Sequence, residues 1–311
     1  MNSATEAPSA AQRPETVVGR PGTGIPSGSG RPQPETFAPL PREHGAWSLL
    51  LQPFVIAVVL ARFWDWRVLP ALALVLLGFI LKDPLVVLAR QRWVWRAPNP
   101  QTPVAARWLV YELVGIAICL LPLLPATPLL PFAALALAAL AMTGVAVWFT
   151  LRNKQRSVTL QIVSAGGLTT SALLVALLDT GFIPAWAWQL WAVLSLHAAA
   201  AILTVHARLR MKIAAKGGAP KRGAPDTNPR RAAAWAQATQ AGTAAASVFL
   251  GVPLLALPLL VSAASGWAEL RRLSVPANLD EPLKRVGYRA LAVSVTHALL
   301  LIGALWSAAA A

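Results

Sequence analysis

Two histidines, His197 and His297, lie inside long apolar stretches of this chain. His197 is nine residues before His206, where its stretch meets a basic connection, and His297 is eight residues after Arg289, at the corresponding end of the last stretch. At about 1.5 Å per helical residue, both sit roughly 12–13 Å below the same surface. Ionisable groups at that depth in a membrane bundle face the interior or a cavity. The chemistry open to such a pair is proton relay or ligation of a metal or haem. Two neutral imidazoles, each bonded to a nearby hydroxyl or carbonyl, fit the same residues. No third ligand stands near either histidine in the sequence, so the expectation is that there is no metal.

Other groups could take part. The run Pro41-Arg42-Glu43-His44-Gly45-Ala46-Trp47 sets a guanidinium, a carboxylate and an imidazole where the chain enters its first apolar stretch. This reads as a mouth that holds an anion and handles protons, or as an interfacial anchor with a local ion pair. Lys82, Asp83 and Arg90 follow the second stretch, and His206 closes the sixth. Glu112 is about one turn inside the third stretch, five residues after Arg107; a snorkelling Arg–Glu pair or a charge partner for a substrate would place it there. Gln237, Gln240, Thr243 and Ser247 are spaced by three, three and four residues, one helical face. Ser262, Ser265 and Glu269 extend the pattern, as do Gln161 and Ser164. Such stripes line a polar cavity or bind helix to helix. The motifs for phosphate loops, nucleophile elbows, zinc proteases and dinucleotide folds are absent.

The elements that must position these groups are transmembrane helices. Residues are 56% hydrophobic and 13% charged, against about 25% charged in soluble domains. About nine apolar stretches run between Ala46 and Ser307. Of the 27 Lys and Arg, all but Arg62 and Arg67 fall in the N-terminal tail or in alternate connections. Charge is costly at the bilayer centre and cytoplasmic connections collect Lys and Arg. The expected fold is therefore all-α: a polytopic bundle of about nine spans, amino terminus in the cytoplasm. The longest connections are expected at residues 82–107 and 207–231, and residues 232–267 are long enough either for two spans with a turn near Gly251–Pro253 or for one long helix with a re-entrant piece. The formal net charge of +15 is spread over short connections with no aromatic–basic stripe. Its expected partner is anionic lipid headgroups, not nucleic acid. Residues 1–41, rich in Pro, Gly, Ser and Thr, read as a disordered cytoplasmic tail before a membrane domain of residues 42–311.

The Arg42–Trp47 run followed by Pro53, the Pro103–Tyr111 segment, His197 and His297 together resemble the YwiC-like family of bacterial multi-pass membrane proteins. That resemblance implies a multi-pass bundle in a bacterial plasma membrane and assigns no reaction and no cofactor. Nine spans with long connections after the second and sixth are also similar, in architecture, to the UbiA-type prenyltransferases. That likeness would place magnesium-binding acidic motifs at Lys82–Arg90 and after His206. Only Asp83 stands where the first motif needs three acids, and the second has none. Magnesium held by several carboxylates is thus not expected. The functional expectation is a hydrophobic small molecule, a lipid or isoprenoid-like amphiphile, held in a bundle cavity open to the cytoplasm. A degenerate UbiA-type enzyme and a small-anion transporter are the alternatives.

Overall fold

The computed structural model describes residues 44–217 and 228–310. The expected tail, Arg42 and Glu43 lie outside them, as does the His44 side chain. Among the described residues the chain is helical, without strands.

α1 (His44–Ala61) carries Pro53 near its middle. A proline there removes one ladder bond and crowds the carbonyl four residues back. α1 ends in a tight link: Arg62 takes a left-handed φ of 54° and Phe63 is buried, while Trp64 and Trp66 are exposed. The two basic residues that break the charge pattern are both held here. Arg62 lies over the Trp306 ring, 5.1 Å from its centroid. Arg67 pairs with Asp65 at 2.6 Å and donates to the carbonyl of Leu178 at 3.1 Å. The Arg67 backbone N–H, then its guanidinium, hold the Asp65 carboxyl below the usual range.

α2 (Val68–Ile80) runs on through Leu81 into α3 (Lys82–Trp93). This corrects the expected long connection: Lys82 to Trp93 is helix, and only residues 94–100 link it to α4 (Gln101–Leu123). Lys, Leu, Ala, Arg and Gln are good helix formers, and charge changes the solvent a helix enters without unwinding it. Pro84 explains the joint, because its ring crowds the carbonyl of Ile80, where α2 stops. Gln91 closes the α3–α4 turn by accepting from the Asn99 backbone and the Thr102 hydroxyl.

α5 (Leu129–Leu151) follows, then two half-helices, α6 (Val158–Leu168) and α7 (Ser171–Thr180). α8 (Ala185–Ala215) continues ten residues past the expected end of its span, so the connection expected at Ala207 opens only after Ala215. Residues 232–267 form two helices, as length allowed: α9 (Pro229–Phe249) and α10 (Ala256–Arg272), turning at Gly251 with φ 78°. α11 (Leu283–Ala310) completes the bundle.

Seven of the described helical segments are long and apolar enough to cross a membrane. Nine spans were expected. α1 falls short on length, and α9 is too rich in Gln, Thr, Ser and Arg. The buried core joins α1, α7, α8, α10 and α11 through Phe54, Ala57, Leu178, Leu190, Leu259 and Leu301. α9 packs between α8 and α10. α4 and α5 lie at the edge, presenting Leu113, Ile118, Leu121, Leu130, Leu137 and Trp148 outward, as a lipid-facing surface requires.

Candidate functional site

α8 and α11 bring the two buried histidines together. Their rings stack at 4.3 Å between centroids with 13° between planes. α10 orients both. The Nδ1 of His197 is 2.6 Å from the Ser262 hydroxyl, and the Nδ1 of His297 is 2.9 Å from the Pro258 carbonyl. A carbonyl only accepts, so the His297 proton sits on Nδ1 and its Nε2 presents a lone pair in the neutral ring. That Nε2 is buried and has no hydrogen-bond partner in a residue 0% exposed. Equal depth was legible in the sequence; contact was not.

A second polar group lies between α8, α9 and α10. Gln237 donates to the Thr204 hydroxyl at 3.1 Å, and Gln240 donates to Gln237 at 3.0 Å. Both glutamines are buried, and the Oε1 of Gln240 has no partner. Gly266 makes room for this arrangement: a Cβ there would collide with the Gln237 amide. The expected stripe needs one correction. Gln237, Gln240 and Ser247 are buried, but Thr243 is exposed and bonded to its own helix at Thr239. The buried face takes Ala244 instead. At 100° per residue Thr243 lies about 80° round from the centre of that face.

His206 stands apart from the histidine pair, its Nε2 2.8 Å from Gln161 on α6. The pairing of Arg107 with Glu112 does not form: Glu112 points inward with both oxygens unpartnered, while Arg107 is exposed. Five residues turn a helix by about 140°, which sends the two side chains to different faces. Glu112 sits on α4, which packs against α2 and α3. Lys82 and Asp83 open α3, and Arg90 lies in its last turn.

Sequence reasoning missed two constellations. The first is an ionic cluster at the basic end of α8, α10 and α11. Arg208, 5% exposed, pairs with Glu269 at 2.7 Å and donates to the Asn278 carbonyl at 2.8 Å. Arg289 bonds both oxygens of Glu281 at 2.5 and 2.7 Å, and reaches Glu269 at 3.4 Å. The Arg289 bonds hold the Glu281 carboxyl below the usual range. In the sequence Arg208 reads as one more residue of a basic connection; α8 runs on to Ala215 and turns it inward.

The second is the break between α6 and α7. Thr170 and Thr169 bond back to Gly167 and Gly166. Trp191 donates to the Gly166 carbonyl at 3.0 Å, Ser195 meets Thr169 at 2.8 Å, and Ser171 donates to the Leu50 carbonyl, three residues before Pro53. The signal was present in the run Gly166-Gly167-Leu168-Thr169-Thr170-Ser171. Next to Pro53, Gln52 and Ser294 exchange hydrogen bonds between α1 and α11. Gln52, Thr169, His197, Gln240, Ser262, Ser294 and His297 all fall within about one turn of the midpoint of their helical segment. The interior polar groups therefore form a layer half-way along the helices.

Comparison with known proteins bears on one part of the chain. Residues 40–177, less than half of its length, match the model of a family described as YwiC-like protein. The Arg42–Trp47 and Pro103–Tyr111 segments fall inside the match; both buried histidines lie beyond it. No curated protein and no solved structure matches. With seven apolar helices of spanning length, the chain is an integral, multi-pass membrane protein.

Proposed function

We propose that this protein binds a lipid or isoprenoid-like amphiphile inside its bundle, in a bacterial plasma membrane, and holds the molecule's hydrogen-bond-donating head at the midspan layer. The binding cavity opens toward the basic end, which faces the cytoplasm and its anionic headgroups. One observation carries the reading: the Nε2 of His297 is a fully buried acceptor without a partner. An acceptor left empty in an apolar interior costs about 1–3 kcal/mol. A hydroxyl or similar donor on a hydrophobic ligand removes that cost, and the Oε1 of Gln240 offers a further acceptor in the same layer. The hydrocarbon part of the ligand then lies among Leu, Val and Ala side chains.

Native mass spectrometry of the full chain, after exposure to a total bacterial lipid extract, tests this. The wild type retains an amphiphile bearing an alcohol or phenol, and His297→Phe retains roughly ten-fold less, about 1.4 kcal/mol of binding. No enriched lipid on the wild type, or equal retention by His297→Phe, refutes the reading.

The α6–α7 break favours a second reading, a carrier. Discontinuous helices at mid-membrane depth accompany substrate sites in transporters. Uptake of a labelled small anion by reconstituted vesicles, abolished by Gly167→Leu, would support it over simple binding.

A further inference from the structure

Stacking decides what the two buried imidazoles can hold between them. Both rings turn the same edge toward α10: the Nδ1 of His197 meets the Ser262 hydroxyl, and the Nδ1 of His297 meets the Pro258 carbonyl one turn away. Both Nε2 edges therefore face away from α10.

The hydrogen bonds set the tautomers. His297 carries its proton on Nδ1, because a carbonyl only accepts, and its Nε2 is an acceptor without a partner. Ser262 is 5% exposed, and among the described residues its hydroxyl bonds the His197 ring. Were His197 the donor there, the serine proton would be left without an acceptor in a closed apolar setting. Donation by Ser262 uses that proton and puts the His197 proton on Nε2. The donor left over then belongs to the half-buried ring, not to the closed one. The pair presents the N–H of His197 beside the lone pair of His297.

These two groups cannot satisfy each other. An imidazole N–H and lone pair lie in the plane of their own ring, and the planes are 13° from parallel with centroids 4.3 Å apart. The two bonding directions run side by side. One oxygen midway, at about 2.8 Å from each nitrogen, would bend both bonds by roughly 50°, close to where they fail. Two oxygens on adjacent carbons bring each bond back to within about 20° of its ring plane. An ester, a ketone or an ionised carboxylate brings no proton for His297, and a lone hydroxyl makes one good bond and not both.

We propose that the His197–His297 stack is a two-point receptor for a neutral vicinal diol, the head of a glycerol-type amphiphile. One hydroxyl oxygen accepts from His197 and the other hydroxyl donates to His297. Ser262 is a positioning residue that keeps His197 in its donating form. The proposal rests on the amphiphile reading above and narrows its head group from any alcohol to a diol.

Two measurements on the full chain test it. Native mass spectrometry in detergent compares three probes with one hydrocarbon chain: oleyl glyceryl ether, which carries the diol; the same lipid with both hydroxyls methylated, which only accepts; and oleyl alcohol. The diol should bind about ten-fold more tightly than either, about 1.4 kcal/mol. His297→Phe should erase its advantage over the methylated lipid, and His197→Phe its advantage over oleyl alcohol. If none of the three binds, the amphiphile reading fails and this one with it. If all bind alike, or if the advantages survive both replacements, the amphiphile reading stands and the two-point receptor is overturned. The second measurement needs neither ligand nor replacement. Nitrogen NMR of histidine-labelled wild type in phospholipid vesicles, with His197 identified through carbonyl-labelled Leu196 in the one Leu–His pair of the chain, should show that ring protonated on Nε2. Protonation on Nδ1 overturns the proposal.

Discussion

Placing a methyl group at Gly266 probes the packing that holds the polar layer together. The new Cβ would occupy the space of the Gln237 amide. That amide donates to Thr204 and accepts from Gln240, so it cannot move without releasing both bonds. Interhelical hydrogen bonds in membranes average about 0.6 kcal/mol each, which makes about 1 kcal/mol for the two. Overpacking a tight contact adds roughly 1–3 kcal/mol. Helix propensity favours Ala over Gly by about 1 kcal/mol. The sum predicts a loss of about 2 kcal/mol for Gly266→Ala, roughly 30-fold in the folding equilibrium. Gln237→Ala should cost about 1–2 kcal/mol by loss of the same bonds. The double variant should be no less stable than Gln237→Ala alone, because truncation empties the space the methyl group needs. Reversible unfolding in mixed micelles, or steric trapping in bicelles, measures all three. A Gly266→Ala variant within about 0.5 kcal/mol of wild type refutes the reasoning, as do losses that simply add.

Two further outcomes follow from the ionic cluster. Arg208→Met leaves Glu269 with the longer contact to Arg289 and should cost about 3–5 kcal/mol, read as a lowered unfolding free energy in the same assay. The second concerns acid. Arg289 lowers the folded-state value of Glu281, so the stability it contributes is fully present above the unfolded value of about 4.3 and is lost as pH falls through the lower folded value. Melting temperatures of Glu281→Gln should accordingly sit below wild type near neutral pH and converge with it in acid; parallel curves would contradict this origin.

Much of the architecture was legible because hydropathy and charge are properties of single residues, and a bilayer sorts them along the chain. The apolar stretches, the split of residues 232–267 at Gly251, and the depths of His197 and His297 all follow from such one-dimensional energies. Connection lengths were overestimated at Lys82 and at Ala207 for a related reason. Charge marks where a helix leaves the hydrocarbon, whereas backbone propensity decides where it ends, and α3 and α8 continue through both points.

What the tertiary structure alone decided is which way each helix is turned and what then meets. Stacking of His197 on His297, the inward turn of Glu112 away from Arg107, the outward turn of Thr243, and the joining of Arg208 and Arg289 to Glu269 and Glu281 all depend on rotation about helix axes. Rotation is set by close packing between neighbours, as where Gly266 admits the Gln237 amide. In hydrocarbon, unlike in water, apolarity alone scarcely favours one face of such a helix over another. Depth was therefore written in the chain, while facing was settled by side chains far apart in sequence.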